Sequence, residues 1–282
     1  TRGLNDAGAA ANFVETEQVL HLSLSNTMKE TTKAAAIASH VFLRGSCPLF
    51  WEQRGMRSLN PKPKVSRVTE LAAPALRVHL DKLIQLYGPV LLLSLLEETG
   101  GESELHNALS ACMATLTPPK GRLTDAFMKT FDFHHHTKAS RAEGIRVLVH
   151  QLSTIEPAAR RPSSHGFFTM SIDGGGKGAT NAPHRLQTGI TRVNCLDCLN
   201  RTNMAMTVLA LSSASDMLRS LCAACEIPEQ RLASGGLEAT LQAALRKLWT
   251  ETGDLLSIQY TGTANLSKGT NITGDTPRKS FV

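Results

Sequence analysis

The chain has 282 residues, of which 41% are hydrophobic, 19% are charged and only 5% are aromatic. These proportions are typical of a globular protein with a mostly aliphatic core, in one large or two small domains, and they exclude an intrinsically disordered chain. The net charge of +6 suits an anionic partner such as a membrane surface or a phosphate-rich substrate, although many soluble proteins are equally basic.

No segment of the sequence approaches the roughly 18–20 consecutive apolar residues of a membrane-spanning helix. The chain begins at Thr1 without a signal-like apolar segment, so we expect a fragment, and a membrane anchor could lie outside it. Six cysteines favour a reducing compartment over a disulfide-bonded scaffold. Basic residues are not interleaved with aromatic residues in the pattern of nucleic-acid binding, so no nucleic-acid partner is predicted.

The first half of the chain predicts strands followed by helices. Partial alternation of apolar residues predicts a strand over 11–20, and a second strand is predicted over 38–43. Apolar residues at helical spacing predict a helix over 74–86. The apolar run 90–96 predicts a buried central strand, and a second helix is expected over 102–116.

Between these elements, residues 54–69 contain Pro61, Pro63 and several basic side chains, and they predict a loop or an edge strand. A basic loop near a phosphate site could contact anionic lipid, at about 1 kcal/mol for each charge close to the surface. A solvated surface loop is the alternative interpretation.

The second half of the chain continues the alternation. Strands are predicted over 127–133, 166–172 and 187–193, with a helix over 138–152 after the first of them. Further helices are predicted over the following four segments: 202–211, 212–226, 228–233 and 237–249. The segment 252–263 predicts a turn and a closing strand. Strands that alternate with helices through much of the chain predict an α/β fold.

Three consecutive histidines, His134 to His136, suggest a metal site at first sight. On a strand, neighbouring side chains point to opposite faces, so only His134 and His136 would share a side. Asp132 would join them only if the strand continued unbroken, and no cysteine lies nearby. We therefore predict no metal at this position.

The chemistry of the chain is concentrated in residues 195–203, which hold a cysteine, five intervening residues, an arginine and a threonine. A thiolate at Cys195 could attack phosphorus if its pKa fell well below the free value of about 8.5. Backbone N–H groups and the positive end of the following helix would favour that anion, and later the substrate phosphate. Arg201 could hold two phosphate oxygens, and Thr202 could donate to the sulfur.

Two pairs of cysteines offer an alternative, a four-thiolate zinc site. Cys195 and Cys198 form the first pair, and Cys222 and Cys225 form the second. The spacer between the pairs is longer than the usual roughly 15–20 residues and has the pattern of a continuous helix. Packing of the second pair on an apolar helix face is the favoured interpretation.

The longer string Arg192–Asn203 resembles the R-x-N-C-x-D-C-L-D-R-T-N signature of the Sac-domain phosphoinositide phosphatases, with Asn200 in place of an aspartate. Four further blocks resemble the same family, namely those within 2–18, 44–53, 132–138 and 252–263. The resemblance implies a central mixed sheet flanked by helices, with the Cys-x5-Arg loop between a strand and a helix. It also implies that 1–282 is the catalytic region of a Sac domain whose amino-terminal subdomain is missing.

The predicted catalytic residues are Cys195, Asp197 and Arg201. Asp197 is the candidate general acid, because the family pattern has aspartate at both 197 and 200 and only position 197 is ionisable here. The resemblance implies a substrate-binding set with two parts, the loop interior and a group of more distant basic side chains: Leu196, Cys198, Leu199, Asn200 and Thr202, with Lys138, His134 and Arg44.

The predicted function is hydrolysis of a phosphate monoester on an inositol lipid through a cysteinyl-phosphate intermediate, without a cofactor or a metal. The expected partners are the phosphoinositide headgroup and an anionic membrane surface. We expect a cytoplasmic protein, peripheral at an internal membrane or anchored through segments outside this chain.

Two alternatives to this function remain. Asn200 cannot give up a proton at neutral pH, so the chain could be a catalytically weak or inactive phosphoinositide-binding module. A protein tyrosine or dual-specificity phosphatase shares the chemistry, but Asn194 precedes the nucleophile here and the loop contains no glycine.

Overall fold

Two layers of helices enclose a mixed sheet in the computed structural model, which describes residues 3–23, 33–53, 61–173, 183–228 and 236–263. The strands are β1 (Val14–Ser23), β2 (Lys33–Ser46), β3 (Trp51–Glu52), β4 (Lys64–Val65), β5 (Val90–Ser94), β6 (Ala126–Thr130), β7 (Phe168–Asp173), β8 (Pro183–Arg185) and β9 (Ile190–Cys195). The helices are α1 (Thr69–Tyr87), α2 (Ser103–Leu116), α3 (Phe133–Thr137), α4 (Arg141–Ser153), α5 (Asn200–Ala224) and α6 (Leu237–Thr261). This architecture confirms the predicted α/β fold with a mixed sheet.

Seven strands form the main sheet, in the order β6-β5-β9-β2-β7-β8, and β1 pairs with β2 outside this path. The strands β6, β5, β9 and β2 run parallel, whereas β1, β7 and β8 pair antiparallel. In the parallel register, Cys195 lies beside Ser46 on β2, and Asn194 lies beside Ser94 on β5. The last residue of β9 therefore reaches the sheet edge at which β2 and β5 also end.

The strand β5 shows how the sheet separates two hydrophobic cores, because its five residues are all buried. Leu91 and Leu93 belong to the core that contains residues of α4, α5 and α6. Val90 and Leu92 belong to the core that contains residues of α1 and α2. A continuous apolar run is what a strand covered on both faces requires, which confirms the predicted central strand.

The prediction of a closing strand over 252–263 is wrong, because α6 continues through Thr261. The buried positions of α6 follow a helical spacing: Leu245, Trp249, Gly253, Leu256 and Ser257. Glycine and serine occupy two of these positions, while Leu255 and Ile258 are exposed. Within 252–261 the buried positions are therefore only partly apolar, so the apolar pattern of this segment does not indicate the helix.

The strand predicted over 127–133 also ends early, and the histidines lie on α3 instead. Asp132 caps this helix, since its Oδ1 accepts the His135 N–H at 2.9 Å. His136 stacks against Phe131 with ring centroids 4.7 Å apart. On a helix, residues two apart do not face each other, so the predicted pairing of His134 and His136 is wrong.

Other boundaries differ less. Helix α1 begins five residues before its predicted start and contains Pro74, because Ala72 and Ala73 are buried against the core ahead of it. Helix α5 joins the adjoining predicted segments 202–211 and 212–226 into one helix, as the pattern between the two cysteine pairs predicts. Most of the predicted helix 228–233 and part of the basic segment 54–69 lie outside the described residues.

Among the described helices, none is both long enough and apolar enough to cross a membrane.

Candidate active site

The Cys-x5-Arg segment connects the end of β9 to the start of α5, as predicted. The connection is only four residues long, and Cys198 adopts a positive φ of 60° within it. A left-handed residue of this kind reverses the chain over the preceding cysteine and is uncommon outside glycine. The loop therefore turns back over the Cys195 side chain before the helix begins.

The Cys195 sulfur is buried and has three polar neighbours from its own loop. It accepts the Cys198 backbone N–H at 3.0 Å and the Thr202 hydroxyl at 3.1 Å. Its thiol donates to Asp197 Oδ1 at 3.3 Å. The predicted hydroxyl contact is present, but only one of the expected amide donors reaches the sulfur.

The pKa of the Cys195 thiol is not lowered as the sequence predicts. Burial raises the pKa of Cys195 well above its ordinary value, with smaller contributions from the neighbouring Cys198 and Asp197, although Arg201 opposes the rise. Burial also acts on Cys198, but its contact with Cys195 and the charges of Arg44 and Arg192 lower the Cys198 pKa overall. Burial therefore opposes the thiolate that the sequence analysis expects at Cys195.

Asp197 links the sulfur to the loop backbone. Its Oδ1 also accepts the Leu199 N–H at 3.1 Å, and its own carbonyl accepts the Asn12 amide at 3.3 Å. Leu196 is half-buried, Leu199 is buried and Asn200 is exposed at the first residue of α5. The one ionisable carboxylate of the loop therefore lies beside the Cys195 sulfur, while the asparagine is exposed at the helix start.

Arg201 is engaged by a residue that the sequence did not single out, Glu102. The guanidinium makes a bidentate ion pair with this carboxylate, at 2.7 Å from Nη1 and 2.6 Å from Nη2. Both side chains are close to buried, with 12% and 9% exposed. Nη1 also donates to the Leu95 carbonyl at 3.3 Å. The only sequence signal for Glu102 is its place just after a glycine pair and before α2.

Arg44 and Arg192 lie under the loop, and both are fully buried. Arg44 Nη2 donates to the Cys198 carbonyl at 2.7 Å, so Arg44 supports the loop from below. The prediction that Arg44 lines the substrate groove is wrong, because its side chain is fully buried. Arg192 Nη2 donates to the Ser46 carbonyl at 2.8 Å, in space that a side chain at Gly45 would fill. Arg192 Nε and Nη1 have no partner among the described residues. The sequence signal for this buried charge is an arginine inside the predicted strand 187–193, where a charged side chain is costly to bury.

The more distant predicted residues lie at the surface. His134 is exposed, and its Nε2 lies 3.6 Å from Glu97 Oε1. The Glu97 N–H in turn donates to Glu102 Oε2 at 3.2 Å, so His134 is connected to Arg201 through the segment 97–102. Lys138 is exposed at the end of α3, and none of the described contacts joins it to the loop.

The zinc alternative depends on whether the cysteines converge. All six cysteines are free thiols and are buried. Within the described ranges, no group of three or more His, Cys, Asp or Glu side chains could hold a metal ion. The site therefore offers a buried thiol, a carboxylate, a hydroxyl and a guanidinium, a set suited to nucleophilic attack on an anionic ester.

Comparison with known proteins gives a consistent result. Residues 1–138 match the family model described as the SacI homology domain. The chain is 34% identical over 265 residues to synaptojanin-1 of Rattus norvegicus and 31% identical over 271 residues to synaptojanin-2 of Homo sapiens. It is 30% identical over 278 residues to phosphatidylinositol-3-phosphatase SAC1-A of Danio rerio.

These alignments cover 94%, 94% and 97% of this chain, so they include the loop at 195–201. They span only 14%, 15% and 41% of the three relatives, so the chain corresponds to less than half of each. The resemblance drawn from residues 192–203 is thereby confirmed. The chain belongs to the SacI homology family.

Proposed function

We propose that this chain is the catalytic portion of a phosphoinositide phosphatase, which removes a phosphate monoester from the inositol ring of a membrane lipid. The observation that carries the proposal is the position of the Cys195 sulfur, within hydrogen-bond distance of Thr202, Asp197 and the Cys198 N–H. The names of the relatives, which include phosphatidylinositol phosphatases, support this substrate class.

The contact between Cys195 and Asp197 supplies a route for the proton. A buried thiol must lose its proton to attack phosphorus, and Asp197 Oδ1 already accepts that proton's hydrogen bond at 3.3 Å. Transfer to Asp197 leaves a thiolate that forms the S–P bond. The protonated carboxyl group then gives the same proton to the leaving inositol oxygen as the P–O bond breaks.

Arg201 retains donors for the phosphate despite its ion pair. A guanidinium has five N–H donors, and Glu102 and the Leu95 carbonyl engage its Nη1 and one hydrogen of Nη2. The Nε–H and the second Nη2–H lie on one side and form a fork that matches two phosphate oxygens. Glu102 thus acts as a positioning residue that fixes the direction of this fork.

The second half of the reaction regenerates the enzyme. Water attacks the cysteinyl phosphate, Asp197 accepts the water proton, and the S–P bond breaks to release inorganic phosphate. The Thr202 hydroxyl, at 3.1 Å from the sulfur, stabilises the departing thiolate. The proton on Asp197 then returns to Cys195.

The experiment that tests the function is phosphate release from short-chain phosphoinositides. We expect Cys195→Ser to abolish release while the urea unfolding midpoint stays close to that of the unmodified chain. Cys222→Ala is the matched control, because Cys222 is also buried but lies on α5, away from the loop, and it should retain activity. Release by the Cys195→Ser variant would contradict the proposal.

A second function, headgroup binding without turnover, is favoured by two observations. Asn200 replaces the usual aspartate, and burial raises the pKa of Cys195. Saturable binding of a headgroup panel without phosphate release would select this alternative. In either case the ligand is a membrane lipid, so we place the protein at the anionic cytoplasmic surface of an internal membrane, peripherally or through segments outside this chain.

A further inference from the structure

Arg201 is held by one segment of the chain, residues 95–102, which connects the end of β5 to the start of α2. The Leu95 carbonyl accepts from Arg201 Nη1 at 3.3 Å. The Glu102 carboxylate accepts from Nη1 at 2.7 Å and from Nη2 at 2.6 Å. The described hydrogen-bond partners of the guanidinium therefore come from the two ends of this segment, and its direction depends on what fixes the segment.

The second part of the segment is a turn that closes on itself. The Glu97 N–H donates to Glu102 Oε2 at 3.2 Å, and the Gly101 N–H donates to Glu97 Oε2 at 3.0 Å. Gly100 has a φ of 102°, a conformation that glycine adopts without steric cost. The turn 97–102 therefore moves as a unit, and a shift of the turn shifts the Glu102 carboxylate with it.

Asp132 attaches this turn to the neighbouring part of the fold. It lies between β6 and α3, and it is 7% exposed. Its Oδ2 accepts the Glu98 N–H at 3.0 Å, while its Oδ1 accepts the His135 N–H at 2.9 Å. Hydrogen bonds from a backbone N–H to a carboxylate are charge-assisted and among the stronger ones in proteins. One buried side chain thus joins the turn 97–102 to the first turn of α3.

Two other contacts of the turn lie at the surface. The Thr130 hydroxyl donates to Glu98 Oε1 at 3.0 Å in an exposed pair. His134 Nε2, in a side chain that is 63% exposed, lies 3.6 Å from Glu97 Oε1. Water competes for exposed polar pairs, so they contribute little to holding a segment in place. Asp132 is therefore the attachment that fixes the turn most firmly among these three.

We propose that Asp132 is a positioning residue for the reaction, because it holds the turn 97–102 and thereby fixes Glu102 and the phosphate-facing donors of Arg201. The link from Asp132 to Arg201 follows from the contacts alone, whereas its consequence for phosphate recognition rests on the proposed function. When Glu98 loses its acceptor, the turn is free to shift and the Glu102 carboxylate shifts with it. Arg201 then spends less time in the direction that matches two phosphate oxygens, and affinity for phosphate falls.

Asp132→Ser separates this role from the capping of α3. Serine is as good an N-cap residue as aspartate, so it keeps an acceptor for the His135 N–H. Its single hydroxyl oxygen cannot also occupy the place of Oδ2 beside the Glu98 N–H. Asp132→Thr, which introduces another N-cap residue, is the second variant should the serine protein fail to fold, and it should behave in the same way.

Ser140→Ala is the matched control. Ser140 caps α4 by accepting the Glu143 N–H at 3.3 Å, so its loss lowers stability as the loss of a cap does. It makes no described contact with the turn 97–102, and a variant that is only less stable should therefore leave Arg201 undisturbed.

The first measurement is ¹H–¹⁵N NMR of the arginine side chains in the whole chain, which needs no substrate. The Arg201 signals are assigned by their loss in Arg201→Lys. Asp132→Ser should speed the exchange of the Arg201 Nη hydrogens with solvent by about tenfold or more, because the ion pair opens more often. The signals of the buried Arg44 should not change, and Ser140→Ala should leave both arginines unaltered.

The second measurement is the affinity for a short-chain phosphoinositide in the Cys195→Ser background. Asp132→Ser should weaken binding by roughly tenfold, and it should add little when Glu102→Gln is already present, since both changes act on the same ion pair. The inference is overturned if folded Asp132→Ser leaves the Arg201 exchange unchanged, if Ser140→Ala speeds it equally, or if the effects of Asp132→Ser and Glu102→Gln multiply. Absence of binding and of phosphate release in the unmodified chain would instead reject the proposed function, and the exchange of Arg201 would still decide the role of Asp132.

Discussion

At the scale of single residues, the proposed mechanism assigns different roles to positions 197 and 200. Asp197 contacts the Cys195 sulfur, whereas Asn200 is exposed at the start of α5. In the proposed mechanism, only the first position accepts the thiol proton and passes it to the leaving oxygen. Asn200, which replaces the aspartate of the family signature, then lies outside the proposed proton route.

This placement gives a prediction for two variants. Asp197→Asn should lower kcat by about 10²–10⁴-fold, the usual contribution of general acid–base catalysis. Asn200→Asp should change kcat little. Both are measured by phosphate release from a short-chain phosphoinositide. If Asn200→Asp raised kcat sharply and Asp197→Asn did not lower it, the acid would have to be assigned to position 200.

The second prediction at this scale concerns Glu102. Glu102→Gln keeps a hydrogen bond to Arg201 but loses the bidentate ion pair, so the guanidinium is held less firmly. We expect kcat/KM to fall about tenfold or more. In the Cys195→Ser background, which cannot turn over, headgroup affinity should fall as well, an effect that a purely structural role would not produce.

Glu98→Gln is the matched control, since Glu98 is an exposed acidic residue of the same segment whose Oε1 accepts from Thr130 at 3.0 Å. It should leave both kcat/KM and affinity unchanged. A Glu102→Gln variant with unaltered affinity and rate would show that the ion pair serves only stability, as buried pairs can.

At the scale of elements, the packing of α6 on α5 depends on one glycine. A Cβ at Gly253 would lie 2.5 Å from Asn203 Nδ2 and 2.9 Å from its Cγ. The two helices thus approach at a point where any side chain on α6 must displace the Asn203 amide. Since α5 begins at the catalytic loop, this contact also supports the helix that carries Arg201 and Thr202.

Gly253→Ala should therefore destabilise the protein by a net amount of about 1 kcal/mol or more. The clash with Asn203 must outweigh the higher helix propensity of alanine, which favours the variant by about 1 kcal/mol. The measurement is the free energy of unfolding in urea. The double variant Asn203→Ala, Gly253→Ala removes the clash and should recover most of the loss. A single variant more stable than the parent would show that the helices adjust freely at this point.

At the scale of the whole molecule, buried histidines couple stability to pH. Burial lowers the pKa of His40 to about 4, of His79 to about 3 and of His165 to about 4. In the unfolded chain these groups titrate near 6.5. Between about pH 6.5 and 4 the unfolded state therefore binds more protons than the folded state. The free energy of unfolding is therefore highest above about pH 6.5 and decreases as the pH falls below it.

We expect the free energy of unfolding to drop by on the order of a few kcal/mol between pH 7.5 and pH 5. Urea midpoints at the two values measure it. His165→Gln should reduce the difference, whereas His135→Gln, at an exposed position of α3, should not. Equal midpoints at both pH values in the unmodified chain would contradict the prediction.

Local patterns predicted most of the elements that surround the site. The strand–loop–helix around Cys195 follows from a segment with strand character before the cysteine and a segment without glycine or proline after Arg201, both recognisable within a few residues. The same holds for β5, which is apolar throughout because both of its faces are covered. The strand expected over 252–263 failed because α6 continues through Thr261, with Gly253, Leu256 and Ser257 at its buried positions in this segment.

The sequence by itself determined the α/β fold and the family, and it located the Cys-x5-Arg segment, because each depends on a local pattern or on a contiguous motif. Only the tertiary structure decided how the Cys195 and Arg201 side chains are held. The ion pair of Arg201 with Glu102 joins residues 99 apart, and the support of the loop by Arg44 joins residues 154 apart. Contacts over such separations arise only when the sheet orders its strands, so no local pattern can encode them.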